Sequence, residues 1–600
     1  MISRQNTFWR STTVAALSVG ILLPPLYLPV MIQYGALTFP YWDHMATSKQ
    51  IIHYFDVTLT FQELIELQNE APPLFPRLIF IVNAALTNWD IRSEYIYIYL
   101  TVYGTLAALL FALWRVSRDW SRLAVLTTAL VISILACSPV GAMNHHWSLM
   151  LIGTLSYLSA TIALLTVSLQ PFSWKSNISA AVLAWIAAFS ISQGLFVFPA
   201  IFFVQQMAAP NRLRLNRWSL FWLINLVVCC AVYFPGINLS GQPRPALLDF
   251  LVFVAVYIGN PLGSLLWYPD MGVVWLPETS VINGICGVLF LGLGGFTAWH
   301  AWSELPTKCS KTRIFLSFAA YALACDVVTA AGRANGQYAV PNANSSRYSI
   351  FAAFFLLALI FYYAPKYARR EWAFTGWHKA ALGVFLAVSA ISYFRAIPVY
   401  KSAHDNNDWL AEVYGARAET TDLDSRAYPD LAWFNPKRAD LHRLGIGPYR
   451  SIPVISAPIF SNALIAPVAL LPGTVVKQRF HSIHPIIRSI SFPIVTWAKR
   501  PSPYHVEWNA VGLDTGATLG KGSFATSGLL DWQTVTIMLD GSSEARHVEV
   551  TFSVGGGVGV RDPIGLALYA PDVDASTPAL IDGKAREDGS KVGLRVRYER

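Results

Sequence analysis

The chain has 600 residues, 54% of them hydrophobic and only 13% charged, with a net charge of +9 and a mean hydropathy of +0.43. Soluble domains carry about 25% charge, so the deficit points to a bilayer as solvent. The excess of Lys and Arg does not form one stripe but clusters in short loops between apolar runs, which argues against nucleic acid as partner and for positive-inside sorting.

The first apolar run, residues 12–33, is long enough to cross about 30 Å of hydrocarbon. It exceeds a signal-peptide core and lacks an A-x-A site, so it reads as an uncleaved span. A long polar loop follows, residues 34–92, in a protein whose other loops are mostly short. Long loops in compact proteins are usually functional. This one carries Tyr41-Trp42-Asp43-His44, Asn69-Glu70 and Pro76-Arg77. Asp43 reads either as a catalytic acid or as part of an interfacial aromatic belt. Glu63 and Glu66 look like a solvated helix face, Glu70 like a helix cap, and Asp90 like a loop end. The dozen apolar residues before Trp89-Asp90 are too few to span and suit an interfacial helix.

Further spans are predicted near 93–114, 122–138, 147–168, 178–192, 194–208, 218–236, 279–302, 314–332, 347–365 and 380–397, eleven with the first. The stretch 248–266 is read as non-crossing, because Gly259-Asn260-Pro261 would break a lipid-exposed helix. Five basic loops then share one side: Arg115/Arg118/Arg122, Lys175, Arg212/Arg214/Arg217, Lys308/Lys311/Arg313 and Lys366/Arg369/Arg370/Lys379. With those inside, the N-terminus is cytoplasmic. The loop 34–92, Asn144-His145-His146, and the polar loop from Gly332-Arg333 to Ser346-Arg347-Tyr348 all fall outside, as does everything after 397. The two arginines either grip a phosphate or snorkel to headgroups. His145 or His146 either bonds a substrate or marks a polar helix end.

Residues 398–467 form a mixed connecting segment. From 468 to 600, short β-branched and aromatic runs separated by Gly, Asp, Ser and Pro predict an all-β sandwich. The six cysteines show no disulfide or zinc spacing. GGGVGV at 555–560 lacks the Lys-Ser/Thr of a P-loop and reads as a loop.

Over residues 1–400 the sequence resembles the GT-C superfamily of glycosyltransferases. The motifs carrying the resemblance are Trp42-Asp43 near the first span, Asn69-Glu70 with Pro76-Arg77, and Gly332-Arg333 with Ser346-Arg347-Tyr348. The stretch after 468 resembles carbohydrate-binding jelly rolls. The resemblance implies a polyprenyl-phosphate-linked sugar as donor, a cell-envelope glycan or similar acceptor, and the bacterial cytoplasmic membrane as location. It implies Asp43 as general base, with Glu70, Arg77, His145, Arg333, Arg347 and Tyr348 binding substrate. Asp43-His44 stands where many members carry paired acids, so no divalent-metal site is built on such a pair, and the cofactor stays open. The alternatives are a transporter or flippase, or a non-catalytic part of polysaccharide assembly. Asp326 is an acid within a predicted span, but no internal repeat of the transporter kind is evident.

Overall fold

The structure is a computed structural model. It describes residues 2–209, 214–235, 245–267, 277–304, 310–335, 342–369, 375–416 and 431–447, and most of 454–599. Two compact units emerge: Met1–Leu37 with Lys49–Asp405, and Thr38–Ser48 with Asn406–Arg600.

The first unit is helical. Among the described residues, nine helices are long and apolar enough to cross a membrane, which makes this a multi-pass membrane protein. Their outward faces are apolar: Val281, Ile285, Val288, Phe296 and Trp299 of one helix all lie exposed, as lipid-facing side chains do. The long helices are α1 (Ile2–Gly35), α5 (Ile91–Val116), α6 (Arg122–Ala136, which short helical turns continue to His146 as one 25-residue span), α8 (Leu151–Leu169), α12 (Leu247–Trp267), α13 (Pro277–Glu304), α14 (Ser310–Arg333), α15 (Ser349–Ala368) and α16 (Gly376–Ala416).

The set differs from the expected eleven in four places. Helices α9 (Trp174–Ala188), α10 (Val197–Ala208) and α11 (Arg217–Tyr233) are 15, 12 and 17 residues long, short of the ~20 that span a bilayer. The break between α9 and α10 falls at a 3-10 turn, Ser192–Phe196, where expected. A Cβ on Gly194 would overlap the Ala187 carbonyl, so only glycine permits the turn. Conversely, α12 runs unbroken through Gly259-Asn260-Pro261. The expected break is absent because that stretch packs on protein. A Cβ on Gly259 would overlap the Asn283 carbonyl, and one on Gly287 the Ala255 carbonyl, so α12 and α13 meet backbone to backbone in antiparallel register. Gly292 and Gly295 of α13 meet nothing within 4 Å, whereas a Cβ on Gly294 would crowd the Phe355 ring of α15.

The 34–92 loop folds into short helices: a 3-10 turn at Trp42–Thr47, α2 (Ser48–Phe55), α3 (Phe61–Leu64) and α4 (Leu74–Thr87). Asp90 N-caps α5, accepting from the Arg92 N–H at 3.0 Å.

The second unit contains a helix α17 (Leu431–Leu444) and a β region. Its strands are β1 (Val454–Pro458), β2 (Leu464–Ala469), β3 (Val475–His481), β4 (Ile487–Val495), β5 (His505–Gly512), β6 (Thr518–Ala525), β7 (Thr534–Met538), β8 (His547–Val554), β9 (Gly565–Tyr569), β10 (Leu580–Ile581), β11 (Lys584–Ala585), β12 (Lys591–Val592) and β13 (Arg595–Glu599). One sheet has the order β1-β13-β4-β9-β12, with β2 on β9 and β7 on β4; the other is β11-β10-β3-β8-β5-β6. Every described pairing is antiparallel. The period-2 alternation of β8 shows why: Val548, Val550, Phe552 and Val554 are buried while His547 and its alternates face outward. Residues of both sheets enter one buried core, with Phe492 of β4 4.7 Å from Phe552 of β8. The sheets begin at Val454 rather than 468, because β1 pairs with the last strand and β2 with β9.

Candidate functional site

The helical unit has two chemically distinct ends. At one, Glu304 at the end of α13 gathers Lys366 (3.1 Å) from the end of α15 and Lys311 (3.9 Å) from the start of α14. Arg313 donates to the Ser168 carbonyl at 2.7 Å. Gln205 donates to the carbonyl of Pro171, Gln206 to that of Arg214, and Arg369 pairs with Asp119 at 2.7 Å. These contacts draw the described parts of all five basic loops to the same end.

Because Lys311 and Lys366 meet there, α14 and α15 run antiparallel. Phe315 against Tyr362 and Phe318 against Phe361 fix the register. Arg333, closing α14, and the loop leading to Ser349 therefore share the opposite end. The candidate residues of the helical unit collect here.

Glu70 is presented by local backbone chemistry. Gln68 and Ala71 exchange backbone hydrogen bonds of 2.8 and 3.2 Å, closing a tight turn. Asn69 occupies its left-handed position at φ 54°, a conformation asparagine tolerates better than most residues. The turn leaves Glu70 at its tip. There its carboxylate accepts from the Arg333 guanidinium at 2.6 Å, and the Tyr233 hydroxyl donates to its main-chain carbonyl at 3.0 Å. Glu70 is thus an ion-pair partner rather than the cap of α4, whose N-cap is Pro73.

Arg77 points inward. It is buried and donates to the carbonyls of Glu63 (3.3 Å), Leu64 (3.1 Å) and Glu66. Burial pulls its guanidinium down to about 10, so it stays charged at neutral pH. It braces the turn that carries α3. Glu63 is not a solvated acid either. It forms a capping box with Thr60 and pairs with His53 at 2.7 Å, while Lys49 bonds Glu66 at 2.7 Å.

The loop 342–348 is held by amides. Asn144 donates to the Ser346 carbonyl at 3.0 Å, Asn260 to those of Ala343 and Ser345 at 3.3 Å, and Asn283 to the Asn344 side chain at 2.8 Å. On this scaffold the Arg347 guanidinium lies 5.0 Å over the Tyr348 ring and donates to its hydroxyl at 3.2 Å. Its Nε has no partner, and no carboxylate pairs with it among the described residues. Tyr348 stacks on Tyr257 at 5.6 Å.

The histidine pair divides. The His146 ring packs against Gly35, where a Cβ would sit 2.8 Å from the imidazole, and its carbonyl accepts from the Leu37 N–H. His145 is buried with Nδ1 unpartnered. Both belong to a short helix, α7 (Ala142–His146).

Asp43 belongs to the second unit. It lies in the first turn of the 3-10 helix and is half-buried. Trp42 before it has φ 47°, unusual for a bulky side chain and costing of order 1–3 kcal/mol. Such outliers persist where surrounding structure enforces them. His44 beside it is buried, and burial holds its imidazole down to about 3, hence neutral.

The arrangement therefore joins Glu70 with Arg333, sets Arg347 on Tyr348, and turns Arg77 to a bracing task. Sequence reasoning did not anticipate Tyr233 or Asn283, nor that Asn144 and Asn260 hold the 342–348 loop, since no pattern or spacing marks those contacts. No family model matches the chain, and no curated protein matches it in sequence. The residues themselves thus carry the functional reading.

Proposed function

We propose that the protein is a membrane glycosyltransferase that moves a sugar from a polyprenyl-phosphate donor to a cell-envelope acceptor. The observation that carries the reading is Arg347. It is a cationic fork with no carboxylate partner among the described residues, at the end of the helical unit where the loop residue Glu70 meets Arg333. A guanidinium fork matches phosphate geometry, and stabilising the charge that grows on a leaving phosphate is a principal catalytic need. In this reading Arg347 and Arg333 hold the donor phosphate. Glu70 orients Arg333, His145 and Tyr348 line the substrate, and Asp43 removes the acceptor hydroxyl proton.

The gathering of the basic loops at the opposite end supports a cytoplasmic face there. The candidate residues and the β region would then face the outside of a bacterial inner membrane. The two sheets sharing one core support a sandwich of the jelly-roll type with a glycan-binding task.

The test uses the full chain in liposomes with labelled polyprenyl-phosphate sugar and an envelope glycan acceptor. Transfer of label to the acceptor supports the enzyme. Movement of intact donor across the bilayer would identify a flippase. Neither would leave a structural component of polysaccharide assembly.

A further inference from the structure

Asp326 is an acid in the interior of α14, seven residues before its end at Arg333. It is fully buried, and neither Oδ1 nor Oδ2 has a hydrogen-bond partner. Among the described residues its surroundings offer no compensating charge. Tyr257 faces it from α12, and Cys325 and Tyr321 neighbour it on α14. Thr329, one turn on, donates to the Cys325 carbonyl at 2.6 Å and accepts from Gln193 at 3.5 Å. Tyr348 stacks on Tyr257. No Lys, Arg or His pairs with Asp326 among the described residues. The Tyr257 hydroxyl lies by Thr329 and the Tyr321 hydroxyl by Ser156 and Cys325, so oxygen atoms are at hand and, among the described residues, cations are not.

The same unit shows how a buried acid is ordinarily satisfied. Glu94 in α5 is equally buried, and it accepts from the Trp89 indole N–H at 3.0 Å. A buried ionised carboxylate without donors or a counter-ion is strongly disfavoured. Intramembrane acids that persist mark ion or proton sites. We infer that Asp326 binds a small cation, a proton or a sodium ion, inside the helical unit. The inference does not depend on the glycosyltransferase reading.

The experiment treats the folded full chain in detergent or liposomes with dicyclohexylcarbodiimide, which reacts with protonated carboxyls in apolar surroundings. The label is mapped by peptide mass spectrometry. The expected result is a label on Asp326 that declines about tenfold per pH unit once the acid ionises. It should persist in Asp326→Glu and vanish in Asp326→Asn. Protection by sodium chloride but not by choline chloride would assign sodium; a pH dependence unmoved by either salt would assign the proton. An Asp326 left unlabelled at acidic pH in the intact protein overturns the inference, as does a label indifferent to both pH and sodium. Mapping the wild-type protein keeps the test valid even if Asp326→Asn fails to fold.

Discussion

The Glu70–Arg333 pair invites a double-mutant cycle read in two ways. The pair is close, at 2.6 Å, but its side chains are 61% and 42% exposed. Exposed pairs contribute about 0.2–1 kcal/mol to stability. The turn carrying Glu70 is held independently by the Gln68–Ala71 backbone bonds and by Tyr233. Glu70→Gln, Arg333→Gln and the double variant should therefore each lose less than about 1 kcal/mol in thermal unfolding. Donor binding should respond more strongly. Losing one charge-assisted contact costs about 1.5–3 kcal/mol, or roughly 10- to 100-fold in affinity, so Arg333→Gln should weaken binding of a polyprenyl-phosphate donor by that factor. The charge swap Glu70→Arg with Arg333→Glu should recover stability but not donor affinity, because it moves the cation off the end of α14. If the swap restores both, the pair is only a strut and its assignment to the donor fails.

Arg347→Ala should weaken donor binding roughly 10- to 100-fold. Arg347→Lys should rescue it only in part, since an ammonium lacks the planar fork; equilibrium binding to donor-loaded micelles checks both. Arg77→Met should leave the carbonyls of Glu63, Leu64 and Glu66 without their donor and cost about 2–3 kcal/mol in thermal unfolding. A fully stable Arg77→Met would free that residue for a substrate role. Glu63 supplies a pH test. Burial pushes its carboxyl up, but the Thr60 N–H and His53 more than offset this, and the net shift is downward. Its stabilisation is therefore present above the unfolded value of about 4.3 and is lost as pH falls through the lower folded value. Acid unfolding of Glu63→Gln should lack that component.

Apolar length was legible in the sequence, and so most long helices were. What composition could not convey was where short helices end. The Ser190-to-Gln193 stretch and the 3-10 turn at Gly194 divide α9 from α10 too early for either to span. At α12 the breaker signal was outweighed by tertiary contact, because Gly259 serves as a packing notch against Asn283. In the long loop, Asn69-Glu70 stood out by residue type. Its partner Arg333 lies 263 residues away, and no local pattern encodes so distant a pairing. Arg77 shows the converse. A charge in a polar loop reads as outward, yet three backbone carbonyls turn it inward. The β region declared itself through alternation in β8. Its first two strands did not, since β1 and β2 are defined by pairing with β13 and β9 rather than by their own residues.

The central claim is that this protein transfers sugar from a lipid phosphate, with Asp43 as base. The most direct measurement is single-turnover transfer of labelled sugar by the wild-type chain and by Asp43→Asn in liposomes, with donor binding measured in parallel. Asparagine keeps size and hydrogen bonding but cannot accept the proton. The account predicts transfer by the wild type, slowed about 100-fold or more in Asp43→Asn with donor affinity unchanged. Undiminished turnover in Asp43→Asn, or a wild-type protein that transfers nothing, would contradict it.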